Sequence, residues 1–114
     1  MKKWDIVILR YPFTDLTATK ARPALVISPD SSSAGDDAVF IAITGNTAGN
    51  GPHDVIFESS DPEYSTSGLL SDSAIKVDKI FTLHKSLAAK KIGVLGPLMQ
   101  SKVKTRLIQF FELS

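Results

Sequence analysis

The sequence predicts a mainly β (α+β) fold, a small and strongly bent sheet that closes towards a barrel and is followed by one C-terminal helix. Two observations carry this expectation. Short continuous apolar runs rich in Val and Ile recur along the chain, and polar stretches dense in Gly, Pro, Ser, Asn and Asp separate them. Runs of that length suit strands, and a bent sheet that closes on itself removes exposed edges. After Gly96-Pro97 the pattern changes to a helical period, with proline at the first helical position, where its missing donor is harmless.

Asp5-Ile6-Val7-Ile8-Leu9 reads as the first strand, and Tyr11-Pro12-Phe13 extends it with a proline tolerated only at an edge or bend. Thr14 to Lys20 is a polar, Thr-rich connection. Pro23-Ala24-Leu25-Val26-Ile27 is a continuous apolar strand, preceded by Arg22. A residue before proline is pushed into an extended conformation, so Arg22 is held at the mouth of the strand. A guanidinium anchored there suits a phosphate or a carboxylate. The plainer reading is that Arg22 ends a loop and is solvated.

Pro29 to Asp37 is a turn-rich surface loop, and Ala38 to Ile43 is a third strand. Thr44 is the first polar side chain beyond it. The glycines between Gly45 and Gly51 lack the Lys-Ser/Thr pair and the following helix that a phosphate-binding P-loop requires. His53 to Glu58 is a shorter strand. His53 and Asp54 are adjacent, so they face opposite ways and cannot easily share a proton; His53 reads as an exposed loop histidine. Ser73, Ile75 and Val77 alternate with Ala74, Lys76 and Asp78, the mark of a strand with one buried and one wet face. Lys79 to Leu83 then reads as a turn and a short strand, and Lys90 to Leu95 as the last strand. In the helix, Met99, Val103, Leu107 and Phe110 fall on one side, flanked by Ile108 and Phe111.

A length of 114 residues predicts one domain. No apolar run approaches the roughly 20 residues that span a bilayer, and the start of the chain has no leader pattern, which predicts a cytoplasmic protein without membrane contact. There is no cysteine, which excludes disulfides and thiolate chemistry, and with His53 and His84 as the imidazoles a structural zinc site is not expected. The formal charge of +1 supplies no global footprint for nucleic acid, so any such binding must come from local clusters.

Four places resemble the PemK/MazF-type toxins of bacterial toxin–antitoxin systems. They are Asp5-Ile6-Val7, Arg22 through Ser28, Ala42-Ile43-Thr44 with Asn46, and Gly68-Leu69 through Asp72-Ser73 to Asp78-Lys79-Ile80-Phe81-Thr82-Leu83. The helix after Gly93-Val94-Leu95 also falls where that family has one. The resemblance implies an SH3-like β-barrel of the CcdB/MazF type, a homodimer, and an endoribonuclease that cuts single-stranded RNA without metal or cofactor. It implies Arg22 and Thr44 as the catalytic pair, and products with 2′,3′-cyclic phosphate and 5′-hydroxyl ends. A guanidinium stays protonated, so Arg22 is expected to clamp the phosphorane while Thr44 holds an oxygen. The base is open between Asp15, a water and a substrate-assisted route. RNA contacts are expected from Asp15, Thr17, Lys20, Asn46, Lys76 and Lys79, with Arg10 a further candidate.

The expected partner is a small antitoxin that inserts an acidic segment into the RNA groove. The alternative function is a catalytically inactive barrel acting as a binding module, or a CcdB-like poison of DNA gyrase. Two departures stand out. Trp4 replaces a glycine common in the family and reads as core, as dimer contact or as a stacking platform for a base; His84 stands where relatives often carry an acid.

Overall fold

The structure, a computed structural model, describes residues 1–11, 20–29, 35–48 and 51–113, and of Lys20 only the backbone. Its strands are β1 (Asp5–Tyr11), β2 (Lys20–Val26), β3 (Asp37–Thr44), β4 (Val55–Phe57), β5 (Ser73–His84) and β6 (Ala88–Val94), and the helix is α1 (Pro97–Phe111). The strands form one six-stranded sheet in the order β4-β5-β3-β2-β1-β6, every neighbouring pair antiparallel. The sheet curls into a half-barrel with the helix after it, as the sequence predicts.

Both faces of the sheet are covered, which is why its strands read as unbroken apolar runs. Ile6, Leu25, Ile41, Ile43, Ile75 and Val77 point to one side and pack with Phe57, Leu95 and the helix residues Met99 and Val103. Val7, Leu9, Ala24, Val26 and Phe40 point to the other and meet Phe81, Leu83 and Leu87. The expected helix stripe divides: Met99 and Val103 are buried, Leu107 and Phe110 pack against the core from its margin, and Ile108 and Phe111 are exposed.

Gly96 gives α1 no side-chain cap. Glu63 replaces it from a distant loop, its Oε2 and Oε1 each accepting at 2.9 Å from the N–H groups of Leu98 and Met99. A carboxylate is favoured at that end by the unpaired N–H groups and the helix dipole.

Two local expectations are revised. Lys79 to Leu83 is no separate strand: β5 runs through, and the expected turn is a bulge where Ile41 pairs with Ile80 while Ala42 pairs with Lys76. His53 is half-buried, its ring edge-on to Phe110 at 5.1 Å, because the loop before β4 folds against α1. Trp4 lies on the core margin, with the ammonium groups of Lys3 and Lys104 at 5.3 and 5.8 Å from its ring centroid. Its φ of 78° lies in the left-handed region that glycine adopts at no cost and a tryptophan seldom does. His84 caps a 3-10 turn, its Nδ1 accepting from the Ser86 N–H at 3.1 Å.

Candidate active site

The site begins at Pro23. β2 lies between β1 and β3, and a proline there has no N–H to give to a ladder. The β2–β3 ladder runs Val26↔Phe40, Leu25↔Ile41, Ala24↔Ala42 and stops, one residue short of Pro23. Each step of this register moves one position up and one down, so two further steps set Arg22 opposite Thr44. The strands therefore part where these two side chains leave the sheet. Strand alternation places both on the face that carries Leu9 and Ala24, since Arg22 pairs directly with Leu9.

An open cleft of ≈ 350 Å³ occupies this split, and Tyr11, Arg22, Thr44, Asn46, Lys76 and Lys79 line it. Thr44 is held by a tight local turn. Its Oγ1 accepts from the Asn46 N–H at 3.1 Å, and Asn46 Oδ1 accepts from the Ala48 N–H at 3.1 Å. Among the described residues the Thr44 hydroxyl has no acceptor for its own proton. Arg22 is exposed and makes no ion pair among the described residues, so its guanidinium is available to an anion. Three cations line one small cleft, one of them, Lys76, already paired with Asp54, and the remaining positive charge suits an anion rather than an apolar ligand.

Lys76 is fixed from behind. Its Nζ stands 2.7 Å from Asp54 Oδ2, and that carboxylate, 1% exposed, also accepts from the Gly51 N–H at 2.8 Å. Removing one member of a buried pair strands the other. Asp54→Ala is therefore expected to cost about 3 kcal/mol in urea denaturation, and a change within ~0.5 kcal/mol would count against the structural role of the pair.

Tyr11 completes the cleft. Its hydroxyl donates to the Pro23 carbonyl at 3.3 Å, tying the end of β1 to the strand that carries Arg22. Burial pushes this hydroxyl up from 10.0 to about 12, the Arg22 charge working against that rise. Tyr11 is thus neutral at physiological pH, a donor and not a base. The folded state holds the proton more tightly than the unfolded chain, so its full contribution is present below pH 10.0 and is lost as pH rises to about 12. Alkaline denaturation should steepen across that window by roughly 1.4 kcal/mol per pH unit, and Tyr11→Phe should flatten it.

Of the residues expected from the sequence, the structure brings Arg22, Thr44, Asn46, Lys76 and Lys79 together. Asp15 and Thr17 lie outside the described residues, as does the side chain of Lys20. Arg10 is exposed and does not line the cleft. Tyr11 and Asp54 were not among the expected site residues. Tyr11 stands two positions after Leu9 on the same strand face, a spacing visible in the sequence once β1 is extended to it. Asp54 carries no local signal, because its partner is 22 residues away.

The family model described as "PemK-like, MazF-like toxin of type II toxin-antitoxin system" matches residues 2–111. Among solved structures, the chain is similar to an endoribonuclease in complex with its cognate antitoxin from a Mycobacterial species, with 23% identity, a TM-score of 0.74 and coverage of 100% of this chain and 97% of that one. It is similar to the Mycobacterium tuberculosis toxin MazF-mt6 at 19% identity and a TM-score of 0.75, covering 96% and 98%. It is also similar to MazF in a MazE-MazF complex from Deinococcus radiodurans, at 19% identity and a TM-score of 0.79, covering 100% and 97%. No curated protein matches the chain significantly.

Proposed function

The chain belongs to the PemK-like, MazF-like toxins of type II toxin–antitoxin systems, and on that premise we propose that it is an endoribonuclease that cuts single-stranded RNA. The observation that supports this reading is the cleft where the β2–β3 ladder ends, which Arg22, Thr44, Lys76 and Lys79 line together. The reaction is attack of a ribose 2′-hydroxyl on its own 3′-phosphate, the hydroxyl proton passing to a water, with expulsion of the 5′-oxygen of the next nucleotide, which takes a proton from water, leaving a 2′,3′-cyclic phosphate and a 5′-hydroxyl. Charge builds on the non-bridging oxygens as the phosphorane forms. Arg22 neutralises it with fixed donors, and Thr44 donates its hydroxyl proton to an oxygen its turn holds in reach. Lys76 and Lys79 hold neighbouring phosphates.

Tyr11 does not take the 2′-hydroxyl proton, since a phenol pushed up to about 12 offers no phenolate near pH 7. Its part is to hold Arg22 through Pro23. We further propose an antitoxin partner with an acidic segment that competes with RNA for Arg22, a homodimer, and a cytoplasmic setting. No helix among the described residues is long and apolar enough to cross a membrane.

The test is incubation of the purified protein with a long RNA in EDTA, followed by identification of the fragment ends. Cyclic phosphate and 5′-hydroxyl ends are expected, and intact RNA sinks the reading. Thr44→Ala should slow cutting by about 10²-fold, the loss typical of one transition-state donor. Binding should fall with salt by no more than about six phosphate equivalents, given the near-neutral chain.

A further inference from the structure

A cavity of ≈ 600 Å³ lies at the open edge of the sheet, between β4 and α1. Asp54 and Ile56 stand on one wall, and Ser101, Lys102, Thr105 and Arg106 of α1 stand on the other. Ser101 and Thr105 are four residues apart, as are Lys102 and Arg106, so the helix presents a row of hydroxyls beside a row of cations. No residue of this lining belongs to the Arg22 cleft.

Neither wall is saturated. Lys102 is exposed and forms no ion pair among the described residues. Arg106 donates from Nη1 to the Pro52 carbonyl at 2.6 Å, which anchors one arm of the guanidinium and leaves the rest of its fork for an anion. Across from them, the Asp54 side chain is 1% exposed. Its Oδ2 is met by Lys76 and by the Gly51 N–H, whereas its Oδ1 has no hydrogen-bond partner among the described residues. A buried carboxylate oxygen without a donor costs stability, so this wall is short of one O–H or N–H. Lys76 already balances the charge, and a neutral donor suffices.

We propose that this cavity binds a sugar phosphate, alone or as the sugar-phosphate half of a mononucleotide. The assignment does not rest on the ribonuclease reading. A phosphate monoester carries up to about two negative charges near pH 7, which matches the two cations, and the Ser101 and Thr105 hydroxyls add donors to its oxygens. Carboxylates accept from ribose hydroxyls in dinucleotide sites, and Asp54 Oδ1 is an acceptor of that kind. The phosphate settles on the helix wall while a sugar hydroxyl reaches Oδ1, the exposed helix side chains shifting to admit it. A cavity of ≈ 600 Å³ falls within the range of small-ligand sites.

The test is an amide NMR titration of the isotope-labelled full chain with ribose 5-phosphate, uridine 5′-monophosphate and methyl phosphate, the last having no sugar hydroxyl. Saturable shifts with ribose 5-phosphate are expected at residues 54–56 and 101–106. Methyl phosphate should bind there about tenfold more weakly, the loss of one hydrogen bond to a charged group. Lys102→Ala and Thr105→Glu, both at exposed helix positions, should each weaken ribose 5-phosphate by about tenfold or more with unchanged thermal midpoints. Tighter binding of uridine 5′-monophosphate than of ribose 5-phosphate assigns a nucleotide as the occupant, and equal or weaker binding assigns the sugar phosphate alone. No saturable shift, shifts confined to the amides around Arg22 and Thr44, methyl phosphate bound as tightly as ribose 5-phosphate, or wild-type affinity in both variants overturns the assignment.

Discussion

Arg22→Ala should abolish RNA cleavage, lowering the rate by at least 10²–10³-fold, the loss expected when a preorganised donor is removed from a developing oxyanion. The effect belongs to the transition state. The pentacoordinate phosphate carries more charge on its oxygens than the ground state does, and a guanidinium projecting from a backbone restricted by Pro23 meets that charge. The substitution should leave stability alone, because Arg22 is exposed and exposed positions away from special geometry usually change stability by no more than about 0.5 kcal/mol. Arg22→Lys tests the geometry separately. An ammonium keeps the charge but lacks the planar fork, so it should recover part of the rate, roughly tenfold over the alanine variant. Equal cutting by wild type and Arg22→Ala, at matched thermal midpoints, would sink the clamp.

The strands and the helix were legible because apolar runs and their periods are local. Arg22 and Thr44 were legible for the same reason: one precedes a proline and the other ends an apolar run. Their pairing was not. It depends on the register of β2 against β3, which places them two steps beyond Ala24↔Ala42. Long-range partners were invisible in kind. The carboxylate that caps α1 comes from Glu63, 35 residues before Leu98, and the one that fixes Lys76 comes from Asp54. The bulge in β5 looks like a turn in the sequence because Asp78-Lys79 interrupts the apolar pattern, and a composition break looks alike in a turn and in the three extra residues Val77 to Lys79. His53 looks exposed in the sequence because nothing near it announces Phe110.

Gly93→Ala should be severely destabilising for a change of one methyl group. The sheet is open between β6 and β4, and the segment around Ser67 and Gly68 lies against β6 beside that gap. A Cβ at Gly93 would overlap the Ser67 carbonyl and stand 2.5 Å from Thr66 O. Neither side can yield. Gly93 is held opposite Ile6 in the β1–β6 ladder, which shifts register immediately after this pair. Ser67 is wholly buried, its Oγ donating to the Tyr64 carbonyl at 2.6 Å and accepting from the Leu69 N–H at 3.1 Å. The next residue, Gly68, has a φ of 73° and backs onto the Ile92 carbonyl, so the segment cannot slide along β6 either. With backbone on both sides of the clash, relief requires separating the segment from the strand, at a cost of about 3 kcal/mol or more. Gly35→Ala is the control, since a methyl there meets nothing within 4 Å. A urea midpoint for Gly93→Ala equal to that of Gly35→Ala would show that the contact is not closed in solution.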